Sequence, residues 1–157
     1  MSRSNPIARL VRTTPVLSPS ETVASAVSTL LESGVRSLPV ADDRGRFVGV
    51  FGEREFFQAL FPRYVGQLSS AAVITAALDE TIERRASASG DPVSAFMNTE
   101  HVEIRPSASD LQVVETFLHH RVLILPVIDD ERILGVIDRA EFFKSLAREF
   151  LGQVAES

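Results

Sequence analysis

Apolar residues recur along this chain in two rhythms that alternate in a fixed order. Val23, Ala26, Val27, Leu30 and Leu31 keep the i, i+3, i+4, i+7, i+8 spacing of a helix with one buried stripe. Ser18-Pro19-Ser20-Glu21, just ahead, has the form of a capping box with proline in the first helical position, and Gly34 supplies a stop. Strand-like runs follow around 37–41 and 47–51, parted by the polar turn DDRG, and a helix is predicted from about Glu53 to Leu60. The same order then returns, with a helix at about 107–120, strands at about 123–128 and 133–137, and a helix at about 139–150. Between the two series, AAVITAAL at 71–78 is too apolar for a plain linker and is expected to pack on the rest; LDETIERR at 78–85 is predicted helical and ASASGDP at 86–92 a loop.

The two series are copies of one another. Pro19 and Pro39 recur as Pro106 and Pro126, 87 residues on, and after a one-residue deletion in the turn Gly49 and Glu55 recur as Gly135 and Glu141, 86 residues on. Aligning 16–43 with 103–130 and 46–60 with 132–146 gives 18 identities in 43 positions, far above chance, so the chain carries an internal duplication. Each copy reads as strand–helix–strand–strand–helix, an α/β unit of about 55 residues that is marginal alone and needs a partner to cover its apolar faces. The expected organisation is a first repeat at 1–61, a connector with a helix at 62–92, and a second repeat with a C-terminal helix at 93–157, the two repeats packing by pseudo-twofold symmetry.

Composition narrows the function classes. The net charge of −5 argues against nucleic acid as the main partner, because such binders are usually basic. With no cysteine, disulfides and thiolate metal sites are excluded, and the expected location is the cytoplasm. The opening MSRSNPIARLVRTTP has no apolar core of secretory-signal length, and the strongest apolar run, VLILPVI at 122–128, is far shorter than a membrane span. No nucleophile elbow, phosphate-cradling loop or zinc motif is present, so the chain reads as a non-enzyme. His119 and His120, being adjacent, would point about 100° apart on a helix, and the pair Glu115 and His119 has no third ligand in view, so neither makes a metal site.

The two copies, each with a helix, an LPV strand, a DD turn, a hydrophobic-Gly-Val strand and an acidic-Phe-Phe helix, together resemble a tandem pair of CBS domains, the cystathionine-β-synthase-type module, over residues 7–60 and 94–146. The resemblance implies an α/β pair that senses an adenosine-type ligand (AMP, ADP, ATP or S-adenosylmethionine, with or without magnesium) in clefts between its repeats. It also implies a homodimer that regulates a separate protein, with no required cofactor; the charge and the short apolar runs speak against nucleic-acid and membrane partners. The family motif runs Gly, two apolar residues, Ser or Thr, two variable residues, then Asp or Asn; the hydroxyl faces phosphate and the acid accepts from the ribose diol. Here it reads Gly49-Val50-Phe51-Gly52-Glu53-Arg54-Glu55 and Gly135-Val136-Ile137-Asp138-Arg139-Ala140-Glu141. Glutamate keeps the acid's ability to accept two hydroxyl hydrogen bonds, one methylene farther out. The hydroxyl is lost in both copies: Gly52 leaves only a backbone N–H for phosphate, and Asp138 would repel one by about 4 kcal/mol at 4 Å and an effective dielectric near 20.

The strand preceding each turn adds an asymmetry. Arg36 and Ser37 open it in the first copy, and Arg36 stands where some family members place a phosphate-binding cation, with Arg54 nearby in sequence. Leu123 and Ile124 open it in the second, an apolar wall better suited to an adenine face. Two readings of the glutamates stay open at this stage. Glu55 and Glu141 suit the ribose position, and both equally suit a first helical turn, where acids are favoured by the helix dipole. The same choice holds for the pair as a whole, which is either a ligand sensor or a ligand-free scaffold for dimerisation and protein interaction. Phe56, Phe57, Phe142 and Phe143 are expected in a core or an interface.

Overall fold

The computed structural model describes residues 7–60 and 87–156, so the helix predicted at 78–85 and the apolar stretch at 71–78 lie outside the described residues. In order, the elements are α1 (Val23–Ser33), β1 (Ser37–Ala41), β2 (Phe47–Gly52), α2 (Glu53–Leu60), α3 (Asp110–His119), β3 (Ile124–Asp129), β4 (Arg132–Asp138) and α4 (Arg139–Glu156), with single 3₁₀ turns at Ala8–Leu10 and Val93–Ala95. The fold is the expected mixed α/β arrangement, with two two-stranded ladders, β1–β2 and β3–β4.

Both central strands are buried on both faces along their apolar runs LPV and ILPVI. Each leading strand of the predicted repeat is reduced to one parallel bridge, Leu17 to Val40 in the first copy and Ile104 to Val127 in the second. The hydrogen bonds match at the duplication spacing: the N–H groups of Leu17 and Ile104 donate to the carbonyls of Pro39 and Pro126. β3 and β4 are antiparallel, Ile124 facing Asp138, with an irregularity after Val127. The tight turn between them places Asp130 and Glu131 at φ 51° and 66°, the left-handed region that short hairpin turns use.

Spatially, the chain forms two compact units that interleave along the sequence. Among the described residues, one holds 15–44, 48–60 and 87–100, and the other holds 7–14, 45–47 and 101–156. The outer edge of each ladder is therefore closed by a segment that precedes the other copy in sequence: Asn98 bridges Val50, and Arg12 bridges Val136. The cores repeat as faithfully as the sequence. Leu17, Val93, Ala26, Leu38, Val40 and Phe51 in one unit answer to Ile104, Ile7, Val113, Leu125, Val127 and Ile137 in the other.

The helices depart from expectation at their starts. α1 begins at Val23, with the Thr22 side chain accepting from the Ser25 N–H, and not behind Pro19. Residues 18–21 close a turn of their own, the Ser18 N–H donating to Glu21 Oε2 and the Glu21 N–H to the Ser18 carbonyl. The first α1 donors go instead to the 89–91 loop, Val23 to the Asp91 carbonyl and Ala24 to that of Ser89. α3 likewise starts late, at Asp110, behind a full capping box of Ser109 and Gln112. Gly34 ends α1 at φ 74°, as read from sequence. Leu31, placed on the buried stripe by its spacing, is 81% exposed. Eight residues beyond Val23 the helix has turned about 80° off that face, so the stripe ends at Leu30. Phe142 is buried and Phe56 packs against the core, while Phe57 and Phe143 are exposed.

Candidate functional site

In each unit the end of the second strand, the start of the first and the first turn of the following helix meet at one corner. The tie is the same in both copies: the first helical N–H donates across to the strand opening, Glu53 to the Arg36 carbonyl and Arg139 to the Leu123 carbonyl, both at 3.0 Å. This corner collects Arg36, Ser37, Gly52 and Glu55 in one unit, and Leu123, Ile124, Asp138 and Glu141 in the other. Gly49 and Gly135 sit farther back on their strands. A Cβ at Gly49 would lie 2.8 Å from the Asn98 carbonyl oxygen, and one at Gly135 2.7 Å from that of Arg12. The close backbone approach that these glycines permit is thus made by the chain's own edge segments.

At Gly52 the crowding is tighter still. A Cβ there would stand 2.4 Å from the Arg36 carbonyl oxygen and 2.6 Å from Ser37 Cα. The position that carries a hydroxyl in the family motif has no room for any side chain. Its N–H, the remaining candidate for a phosphate, already donates to Glu55 Oε1 at 2.9 Å. Glu55 is the third residue of α2 and only 5% exposed. It therefore reaches back over the helix start in the way the acid of a capping box does.

The second corner solves the same problem with the other residue. Asp138 precedes α4, is 7% exposed, and accepts from the Glu141 N–H through Oδ2 at 3.0 Å. Its carboxylate is engaged in starting the helix, which is the ordinary employment of an aspartate in that position. Glu141 is thereby released. It is exposed, and its Oε1 lies 3.5 Å from Lys144 Nζ, one turn on. Two glutamates at equivalent places in sequence thus have opposite environments. What distinguishes them is legible as Gly-x-x-Glu against Asp-x-x-Glu, a half and a whole capping pattern.

Burial pushes the Glu55 carboxyl above its ordinary 4.5, only partly opposed by the N–H groups of Gly52 and Glu55 itself and by the charge of Arg54. A raised folded-state value means that Glu55 contributes most to stability below pH 4.5, where both folded and unfolded forms are protonated. That contribution is lost as the pH rises through the raised value. Glu55→Gln, which keeps an acceptor for Gly52 and cannot ionise, is therefore expected to gain stability relative to wild type between those two pH values and to hold the gain above them. Urea melts of both proteins from pH 4 to 8 measure the difference, and a difference independent of pH would refute it.

The histidines lie elsewhere. His119 and His120 line a cleft of about 380 Å³ in the second unit with Glu103, Arg105 and Glu115. No group of three or more His, Asp or Glu residues able to hold a metal occurs among the described residues. No helix among them is long and apolar enough to cross a membrane.

No curated protein matches this sequence. Solved structures share the fold. The CBSX2 pair protein from Arabidopsis thaliana superposes with a TM-score of 0.69 at 20% identity, over 90% of this chain and 94% of that one. CBSX2 in complex with AMP gives 0.66 at 23% identity, over 90% and 96%. The CBS domain of a CBS-domain-containing membrane protein from Sphaerobacter thermophilus gives 0.66 at 21%, over 89% and 85%. The CBS domain model matches twice, at residues 7–62 and 93–148, each match spanning one copy of the internal duplication. Two repeated cores, two equivalent strand–helix corners and two matches to one family make this chain a member of the CBS domain family, carrying the domain as a tandem pair.

Proposed function

We propose that this CBS pair is a regulatory module that binds an adenosine-type ligand (a nucleotide or S-adenosylmethionine) and signals to a separate protein, acting as a cytoplasmic homodimer without catalytic chemistry of its own. The observation that carries the reading is the exposed carboxylate of Glu141, held at the place where the family motif puts its ribose-binding acid, with Leu123 and Ile124 opening the strand beside it. A carboxylate so placed can accept both hydroxyls of a ribose. The solved complex of CBSX2 with AMP supports an adenosine ligand for a chain of this fold. Arg36, half-buried just ahead of β1, stands where the family resemblance places a phosphate-binding cation. Regulation follows if the ligand binds one conformation of the pair more tightly than another.

The test is a thermal-shift series with AMP, ATP with and without magnesium, and S-adenosylmethionine. A ligand at a hundred times its Kd stabilises the folded state by about 2.7 kcal/mol, a shift of several degrees for a chain of this size. Native mass spectrometry of the same sample reads the dimer and any nucleotide carried through purification. A second reading, a ligand-free interaction scaffold, is favoured by Gly52 and Glu55, where hydroxyl and acid are both given over to the fold. Absence of any shift from a folded protein would establish that reading and overturn the first.

A further inference from the structure

Helix α4 carries a second apolar stripe besides the one it buries. Phe142 is buried and Leu146 packs against the same core. Farther along, that face turns polar, with Glu149 reaching Arg9 at 3.9 Å and Gln153 one turn on. About 90° round the helix, Phe143, Ala147, Phe150 and Val154 follow one another in steps of four, three and four, with Leu151 beside them. Those steps are the spacing of a coiled-coil seam. Phe143, Phe150, Leu151 and Val154 are each more than half exposed. Glu141, Arg148, Glu149 and Glu156 all fall on the far side of the helix from the seam. Phe150, Leu151 and Val154 lie beyond the second family match, which ends at residue 148, so the stripe extends past the matched module.

We infer that this stripe is a contact between two copies of the chain, with α4 lying antiparallel against α4 of the partner. The stripe supplies its own complement only when it is reversed. A twofold axis between positions 148 and 149 sets Ala147 against the partner's Phe150, and Phe143 against the partner's Val154. Each layer then pairs a larger side chain with a smaller one, and the axis makes every contact twice. Parallel pairing would stack phenylalanine on phenylalanine and alanine on alanine, overfilling some layers and leaving another empty. The charges agree with the reversed order. The first half of α4 carries Arg139, Lys144 and Glu141, and the second half Arg148, Glu149 and Glu156. Antiparallel helices therefore set a net positive half beside a net negative one, which fixes the register. The inference rests on the homodimer proposed above and gives it a surface; it does not depend on the ligand. A seam of roughly 16 Å is short, so the dimer is expected to exchange its chains readily.

Sedimentation equilibrium of the full chain over a range of concentrations tests the contact. The wild type is expected to dimerise, and Phe150→Glu and Ala147→Lys each to raise the dissociation constant about tenfold or more with the circular dichroism spectrum unchanged. Phe150→Ser, which adds no charge to the helix, is expected to weaken the dimer in the same direction. The decisive sample is an equal mixture of Phe150→Glu and Ala147→Lys chains, which is expected to recover the dimer. In the antiparallel register the new acid of one chain meets the new amine of the other, and the second Ala147–Phe150 layer stays intact. A dimer that withstands all three substitutions would overturn the seam and put the contact on another face. Folded variants whose mixture stays monomeric would overturn the antiparallel register. A monomeric wild type would overturn the homodimer along with the seam and leave the stripe to a different protein, while the thermal-shift series still reads the adenosine site on its own.

Discussion

Replacing Gly52 by threonine, the residue type that would restore the family's hydroxyl, is expected to lower stability by about 3 kcal/mol or more without creating a better ligand site. The reason is the immobility of what the new Cβ would meet. Its nearest neighbours are the Arg36 carbonyl oxygen at 2.4 Å and the Ser37 Cα at 2.6 Å, both backbone atoms. That backbone cannot withdraw cheaply, because the Arg36 carbonyl accepts the first N–H of α2 and Ser37 opens a strand buried on both faces. Relief would have to come from separating β1 from the β2–α2 junction, which also breaks the hydrogen bond from the Glu53 N–H to the Arg36 carbonyl. At a urea m-value of about 2 kcal/mol/M the midpoint would fall by roughly 1.5 M. Gly152→Ala is the matching control: nothing lies within 4 Å of a Cβ there and the residue is inside α4, so the exchange is expected to stabilise by up to about 1 kcal/mol. A threonine at position 52 that left the midpoint unchanged would show that the corner is looser than its geometry.

The duplication made most of this fold legible, because residues that recur at a fixed spacing mark themselves as structural. The paired cores, the two buried strands and the helix over 53–60 all stand where the apolar pattern put them. Helix starts were less legible. Pro19 and Pro106 suit a first helical turn, yet which N–H groups become helix donors depends on distant partners such as the carbonyls of Ser89 and Asp91, which no local pattern announces. The edge segments were not legible at all, since Arg12 and Asn98 each make a single bridge and leave no periodic trace; their only signal is the glycine opposite each. At the site, the family motif marks only the hydroxyl that Gly52 and Asp138 lack. Their positive role was written in the same four residues, as Gly or Asp followed three places later by Glu, and depended on which partner's side chain turned toward the helix start.

The equivalent glutamates are expected to respond very differently to loss of their acceptors. Glu55→Ala should be less stable than Glu55→Gln by about 2 kcal/mol, because alanine leaves the buried Gly52 N–H without its partner and empties the space under a 5%-exposed side chain. Glutamine is the proper reference, since it removes the ionisation that burial disfavours and isolates the acceptor. At position 141 the same comparison should give a few tenths of a kcal/mol at most, because the Lys144 contact is an exposed pair one helical turn apart. The missing cost reappears at Asp138, where alanine removes the acceptor of the Glu141 N–H and is expected to cost about 1 kcal/mol, the usual value of a helix cap. If both glutamates proved equally expendable, the cap in the first copy would have to rest on something other than Glu55. Equal and large losses would mean instead that Glu141 turns inward in solution, which would withdraw it from any ligand. The pattern of one costly glutamate, one inexpensive glutamate and one costly aspartate is what a duplicated corner should show after its two copies have exchanged the residue that starts the helix.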